Sequence, residues 1–354
     1  MAVSRITIPQ ANLRPILRAT AREWRAHLKR VIDRAHFILG DELRTFEQEF
    51  AAKMGARFAV GVASGSAAIE LSLREAGIRG EVLTTALTAP FTAVSIRAAG
   101  CKPRFCDVDP ETLQIDAADA ARRATNKTRA IVPVHLYGQP CDVRAIKKLG
   151  LPVIQDACQA HRAPLDFSTP VAYSFYPTKN LGALGDGGAI VTNSATIAKR
   201  LRMLRDGGRD ADQIAHIEGI NARLDELQCC FLRAFLPHLD EWNTHRAKLA
   251  SLYDSLLIDC PGVKLIRRTP ESVNHLYVIR AERRDTLKSH LASIGIGSAI
   301  HYPVPLHQHP AFAQRISLPH AERAVKEILS LPLWPYMPES AARKVARAIR
   351  KFYS

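Results

Sequence analysis

From residue 58 to residue 155 the chain repeatedly changes its apolar period. Short runs rich in β-branched and apolar residues alternate with stretches whose apolar residues recur every three or four positions. The runs 58–62, 82–85, 103–106, 130–134 and 153–155 are expected strands, and 67–75, 93–99, 117–123 and 143–149 the expected helices between them. Such alternation folds as a mostly parallel sheet with helices on its faces, since a parallel crossover needs about the length of a helix. Ligand sites in sheets of this kind lie beyond the carboxyl ends of the strands. The strand-to-helix turns are therefore where chemistry is to be sought.

The flanks read differently. Residues 11–36 look helical and polar, and a further helix begins near Gly40 and Asp41 with Leu43, Phe46 and Phe50 on one face. After a helix over 197–205 and a loop rich in Gly and Asp (206–212), a long helical stretch runs over 224–257, with Pro237 as its candidate break. Beyond Pro261 come a strand at 277–280, a helix at 285–294 and a closing basic helix. With 354 residues and 47% hydrophobic content, a larger unit over 1–255 and a smaller α+β unit over 256–354 are expected.

Charge narrows the partners. Lys plus Arg (49) exceed Asp plus Glu (34) by 15, which attracts anions such as phosphates, nucleoside diphosphates or dicarboxylates. No aromatic-interleaved basic run or nucleic-acid-binding module occurs, so nucleic acid is not an expected partner. The seven cysteines are odd in number and lack any Cys-x-x-Cys pairing. They argue against a zinc site or a disulfide framework and fit a reducing cytoplasm. No run approaches the roughly 18 apolar residues of a membrane span, and residues 1–30 contain no apolar signal core.

Several turns carry chemistry-bearing residues. Tyr173-Ser-Phe-Tyr-Pro-Thr-Lys-Asn-Leu-Gly leads through Gly182, Gly185, Gly187 and Gly188 into a second short strand. Lys179 is either a solvated loop lysine or an amine pinned between two strands. Val62-Ala-Ser-Gly-Ser-Ala-Ala joins a strand to a helix, and is either a simple cap or an anion site built from free backbone amides. Phe91, in Thr88-Ala-Pro-Phe-Thr-Ala, is either core or a site wall. Asp156 ends a strand in Ile154-Gln-Asp-Ala-Cys-Gln-Ala-His, where a carboxylate either caps the next turn or faces a ligand. Asn221-Ala-Arg-Leu-Asp-Glu-Leu-Gln reads as the opening turn of the long helix. His301, His307 and His309 cluster beside two prolines, in a spacing that fits no familiar zinc site.

Taken together, in this order from Phe37 to Pro335, these phrases resemble the pyridoxal-phosphate sugar aminotransferases, the DegT/DnrJ/EryC1/StrS type. The resemblance implies a fold type I α/β transferase, like aspartate aminotransferase, acting as a homodimer with shared active sites. It implies that Lys179 forms the Schiff base with pyridoxal 5'-phosphate. It further implies that Ser66, the Ala67 amide and Ser174 hold the phosphate, Phe91 stacks on the ring, Asp156 faces the ring nitrogen, and Gln159 lies beside the ring. Asn221 would reach the phosphate of the neighbouring subunit, with Arg223 lining that shared site, while His301 and Tyr302 would face the substrate. His161 has no clear role in this scheme. Within the family, Asn221-Ala-Arg-Leu-Asp-Glu-Leu-Gln, His275-Leu-Tyr-Val-Ile-Arg and His301-Tyr-Pro-Val-Pro look most like NDP-hexose 3-aminotransferases. The implied reaction moves an amino group from L-glutamate to a keto group of a nucleotide-linked 6-deoxyhexose, at C3 in preference to C4. Family members that dehydrate instead carry His in place of the lysine, and a non-catalytic regulatory protein on the same fold is the remaining alternative. One departure stands out: the compact segment 161–173 replaces a longer, glycine-rich loop.

Overall fold

The computed structural model describes residues 6–354. Strands β1 (Phe58–Val62), β2 (Glu81–Thr85), β3 (Lys102–Cys106), β4 (Thr128–Val132), β5 (Gln155–Asp156), β6 (Val171–Ser174) and β7 (Gly188–Thr192) form the large sheet. β3, β2 and β4 pair in parallel. Bridges Ile131–Val153 and Val134–Asp156, also parallel, join β4 to the start of β5. β5 and β6 continue in parallel, whereas β7 lies antiparallel to both β6 and β1. The order is thus 3-2-4-5-6-7-1, with β7 the one reversed strand. The parallel sheet expected from the alternation is present, with β7 folded back between β6 and β1 as its one antiparallel member.

Before the sheet come α1 (Arg14–Ala19), α2 (Ala21–Arg34) and α3 (Asp41–Met54). α3 turns Leu43, Phe46 and Phe50 inward, as its spacing requires, and the two phenylalanines meet Tyr173 and Phe175 of the lysine-bearing hairpin at ring separations of 5.2–5.3 Å. Burying such a side chain is worth about 1.5–3 kcal/mol, so β6 is fixed in place by an aromatic cluster before any ligand enters. Helices α4 (Gly65–Glu75), α5 (Pro90–Ala98), α6 (Ala117–Arg123), α7 (Val143–Lys147) and α8 (Ala195–Leu204) cover the sheet.

The long helical stretch expected over 224–257 is broken. α9 (Glu226–Phe235) and α10 (Leu239–Leu257) are separated by a 3-10 turn at Leu236–His238, where Pro237 lacks the amide that a continuous helix would use. Residues 221–224 are not helical either. Arg223 bridges Val62 and Asn221 bridges Asp206, while the Ala63 amide donates to the Ala222 carbonyl. Glu226, the first residue of α9, explains the late start. Its buried carboxylate accepts the backbone N–H groups of Gly40, Glu42 and Leu43, each at 2.9 Å, and so caps α3 from 183 to 186 residues away.

A second sheet, β8 (Val263–Leu265), β9 (Tyr277–Ala281) and β10 (Ile328–Leu331), is antiparallel throughout. Its apolar cluster includes Leu249, Tyr253 and Leu257 of α10 and the inner face of α13 (Glu339–Tyr353). α11 (Arg284–Ser293) and α12 (Pro319–Glu327) complete it. The first described segment is stitched to this part: the Gly297 amide donates to Ile8 and the Leu333 amide to Gln10. None of the described helices is long and apolar enough to cross a membrane.

Candidate active site

The turns after β1, β2 and β5, the β6–β7 connection and the 301–302 segment converge on one cavity of about 620 Å³. Ser66, Phe91, Asp156, Gln159, Ser174, Lys179, His301 and Tyr302 all line it. Ala67 does not; its amide donates to Ser64 Oγ at 3.1 Å, the cap of α4. Asn221 and Arg223 lie outside, in a neighbouring depression of about 370 Å³, and Asp186 lines both spaces. Asn221 is exposed, and Arg223 donates to Asp206 at 2.7 Å.

Lys179 is held by its backbone, whose N–H donates to Tyr176 at 2.9 Å. Its amine makes no hydrogen bond or ion pair among the described residues. Burial lowers its pKa, against the opposing pull of Cys158 and Asp156. Among the residues lining the cavity it is the sole Lys or Arg. Gly182 permits this loop: a Cβ there would stand 2.3 Å from the Pro177 carbonyl oxygen.

Asp156 is fixed on both oxygens. Oδ2 accepts from Thr92 Oγ1 at 2.9 Å and Oδ1 from the Cys158 amide at 3.1 Å. Gln159 is equally constrained, accepting the Tyr137 amide at 2.7 Å and donating to the Tyr302 hydroxyl at 3.1 Å. Tyr137 sits at φ 62° and its hydroxyl donates to the His301 carbonyl at 2.5 Å. Phe91 is 64% exposed, which rules out the core reading and leaves it as a wall. Gly65 lets the α4 turn approach closely: a Cβ there would lie 2.6 Å from Cys158 Sγ and 2.8 Å from Ser174 Cβ.

Three imidazoles surround the lysine. Burial pushes His161 down to about 3 and His301 to about 4, and takes His275 well below its ordinary value, with Lys179 adding to each. His161 donates through Nε2 to the Ser174 carbonyl at 2.8 Å, leaving Nδ1 buried without a partner. Of the other two histidines in the 301–309 cluster, His307 pairs with Glu322 at 3.0 Å and His309 with the Val304 carbonyl at 3.2 Å. No group of three or more metal-ligating side chains occurs among the described residues.

The sequence reading did not find Gln10, Thr92, Tyr137 or His275 as site residues. Thr92 and His275 sit inside phrases it quoted. Gln10, which long-range pairing brings to the cavity, carries no local signal, nor does Tyr137, which lies behind the cavity wall and holds Gln159 and the His301 carbonyl.

The residues present fit a phosphorylated pyridine. An unpaired amine and a fixed carboxylate share one cavity, beside a flat aromatic wall and a helix N-terminus whose first amides have no intrahelical partner. This is the layout of a fold type I pyridoxal-phosphate-dependent transferase, on the same sheet architecture. Residues 19–350 match the model of the DegT/DnrJ/EryC1/StrS aminotransferase family, and the chain belongs to that family. It is 42% identical over 348 residues to a pleiotropic regulatory protein of Geobacillus stearothermophilus, covering 92% of this chain and 93% of that one. It is 40% identical over 363 residues to the dTDP-3-amino-3,4,6-trideoxy-alpha-D-glucose transaminase of Streptomyces venezuelae, covering 98% and 96%. The crystal structure of S. venezuelae DesV in complex with a ketimine intermediate superposes with a TM-score of 0.95 at 39% identity, covering 98% of each chain. The protein is a pyridoxal-phosphate-dependent aminotransferase.

Proposed function

We propose that this aminotransferase moves an amino group from L-glutamate to the C3 keto group of a nucleotide-linked 6-deoxyhexose. The observation that carries the reading is the unpaired Lys179 amine in one cavity with the doubly hydrogen-bonded carboxylate of Asp156. The choice of C3 rests on the 3-amino sugar named for the Streptomyces venezuelae relative, similar over nearly its whole length. The regulatory name of the Geobacillus stearothermophilus relative belongs to that protein; here the reactive amine and its carboxylate are both retained.

Pyridoxal phosphate, when bound, supplies the electron sink that lets nitrogen leave one carbon and enter another. The chain's own residues do the rest. Ser66, Ser174 and the free first-turn amides of α4 would hold the phosphate, whereas the Ala67 amide, also expected there, is taken by Ser64 Oγ. Asp156, unable to rotate, keeps a proton on the ring nitrogen. Phe91 would cover one face of the ring, and Gln159, held by Tyr137 and Tyr302, would sit beside it. Lys179, whose basicity burial depresses, would accept and return the migrating proton at its amine. His301 and Tyr302 meet the sugar.

Charge supports a homodimer with shared sites. A cofactor phosphate, the donor's carboxylates and a sugar nucleotide's diphosphate bring many negative charges to a cavity lined by a single amine. Asn221 and Arg223 from a second copy would supply the missing donors, since in their own chain both lie outside the cavity. We also propose a larger cofactor unit, 1–255, and a smaller unit, 256–354, built on the β8–β10 sheet; the apolar cluster of that sheet also takes in Ile8 and the α10 residues Leu249, Ala250 and Tyr253, and residues 1–5 lie outside the described structure. The seven free cysteines support a reducing, cytoplasmic setting.

The purified protein should absorb in the visible through its bound cofactor. Incubation with glutamate and a panel of keto-sugar nucleotides, followed by NMR of the products, should show nitrogen at C3. An active Lys179→Ala enzyme would refute the mechanism, and nitrogen at C4 would refute the regiochemistry.

A further inference from the structure

Beside the lysine runs a chain of side-chain amides whose orientation is fixed at each link. Asn180 Nδ2 donates to Asn243 Oδ1 at 2.8 Å and to the Val273 carbonyl at 2.9 Å, so its amino group is fully occupied. Asn243 Nδ2 donates in turn to the His161 carbonyl at 3.0 Å. Asn180 Oδ1 therefore faces His275 Nδ1 at 3.1 Å, and only a proton on Nδ1 makes that contact a hydrogen bond. The consequence falls on the other nitrogen. His275 Nε2 carries a lone pair and no proton, makes no hydrogen bond among the described residues, and belongs to a ring that lines the cavity.

We propose that His275 is a catalytic residue, whose Nε2 accepts an N–H from the Lys179 amine once that amine has been displaced from bound cofactor. This rests on Lys179 being the reacting amine. A free amine has two N–H bonds and one lone pair. Committing one N–H to His275 restricts its rotation and leaves the lone pair to face the reacting carbon. Because Nε2 has no proton to offer, it cannot compete for that lone pair. When Lys179 takes up the substrate proton, the same acceptor stabilises the ammonium. The relay from Asn180 serves this end: were the ring free to change tautomer, Nε2–H would repel the ammonium.

The groups around the amine are Asp156 and Cys158 at the end of β5, the neutral rings of His161 and His301, and His275 itself. Behind His275, Arg246 of α10, whose pKa burial pushes down to about 10, donates to its carbonyl at 3.2 Å. Of these, Asp156, Cys158, His161, His301 and Arg246 stay unchanged in the variants below.

Two substitutions separate the catalytic role from a merely structural one. His275→Asn keeps a donor where Nδ1 stands, preserving the bond to Asn180, but removes the acceptor at Nε2. His275→Gln removes the Nδ1 donor and restores an acceptor near the Nε2 position. The full chain is loaded with pyridoxamine phosphate, which leaves the lysine free. Acylation of Lys179 by acetic anhydride is then followed against pH by peptide mass spectrometry. The midpoint should fall by about one pH unit in His275→Asn, the size expected for losing a hydrogen bond to a charged group, and return most of the way in His275→Gln. Coincident midpoints for the natural protein and His275→Asn would overturn the proposal, as would a shift in His275→Gln at least as large as that in His275→Asn. A Lys179 that titrates like an ordinary solvated lysine in the natural protein would instead count against its role as the reacting amine.

Discussion

Two regions of this molecule bury charge, and they treat it in opposite ways. Where α3 and α9 meet β1, each buried carboxylate is saturated. Glu226 takes three backbone amides; Glu47 takes the Gly61 amide, Arg202 and the Arg205 guanidinium; Glu42 takes His27, Arg30 and Arg233. Around Lys179 the opposite holds. The amine has no counter-ion in contact, and His161 Nδ1 and the Tyr173 hydroxyl have no partner. The first region holds the scaffold rigid. The second keeps polar capacity unspent, and an empty hydrogen-bonding position beside a reactive amine is where a ligand can gain most.

The comparison can be broken by substitution. Asp156→Asn should have the largest effect, because the proton on the ring nitrogen loses its anion while the Asn carbonyl still accepts the Cys158 amide and its amino group donates to Thr92 Oγ1, which can turn its own proton to Thr88. Activity should fall by about 10²–10⁴-fold, with a urea midpoint close to the natural one, measured as turnover and equilibrium unfolding on one preparation. Glu47→Ala should do the reverse. It strands the Arg205 guanidinium and the Gly61 amide in the interior, costing about 3–5 kcal/mol of folding free energy, while the surviving folded fraction turns over normally. An activity loss out of proportion to unfolding would show that the two regions are not independent.

Acid should sharpen the contrast. His161 is neutral in the folded state down to about pH 3, because burial disfavours its charged form, whereas in the unfolded chain it takes up a proton near its ordinary value. The unfolded state therefore binds more protons between about pH 6.5 and 3, and stability falls as pH drops through that window. In His161→Phe the slope of unfolding free energy against pH should be shallower there, by up to about 1.4 kcal/mol per pH unit. Glu42, whose carboxyl is held below its usual range by His27 and Arg233 despite burial, adds stability that is present above the ordinary carboxylate range and lost only at lower pH. The smallest effect should come from the surface: Asp33→Asn breaks an exposed pair with Lys29, and the unfolding free energy should stay within about 0.5 kcal/mol.

Much of this was legible in the sequence, for a physical reason. Period and turn chemistry are local, so the alternating strands and helices and the glycine-lined lysine loop could be read directly. The strand-to-helix turns holding Ser66, Phe91 and Asp156 follow from the same signals, because a parallel sheet gathers such turns at one end. The misreadings arose where a distant residue decides. Residues 221–224 look like a helix start, but they add to the sheet edge because Glu226 is engaged with the amides of α3. Gln10 could not be found from its neighbours, since backbone pairing with residues near 297 and 333 brings it to the cavity. His275 was visible as part of a phrase, yet its proton position follows only from the amides of Asn180 and Asn243.

Gln10 lines the cavity, but the strand of chain that bears it is sewn to Gly297 and Leu333, beside the smaller sheet. Any hinge displacement of that sheet would take part of the cavity's boundary with it, so access to the lysine and the posture of the chain's leading segment are mechanically one variable.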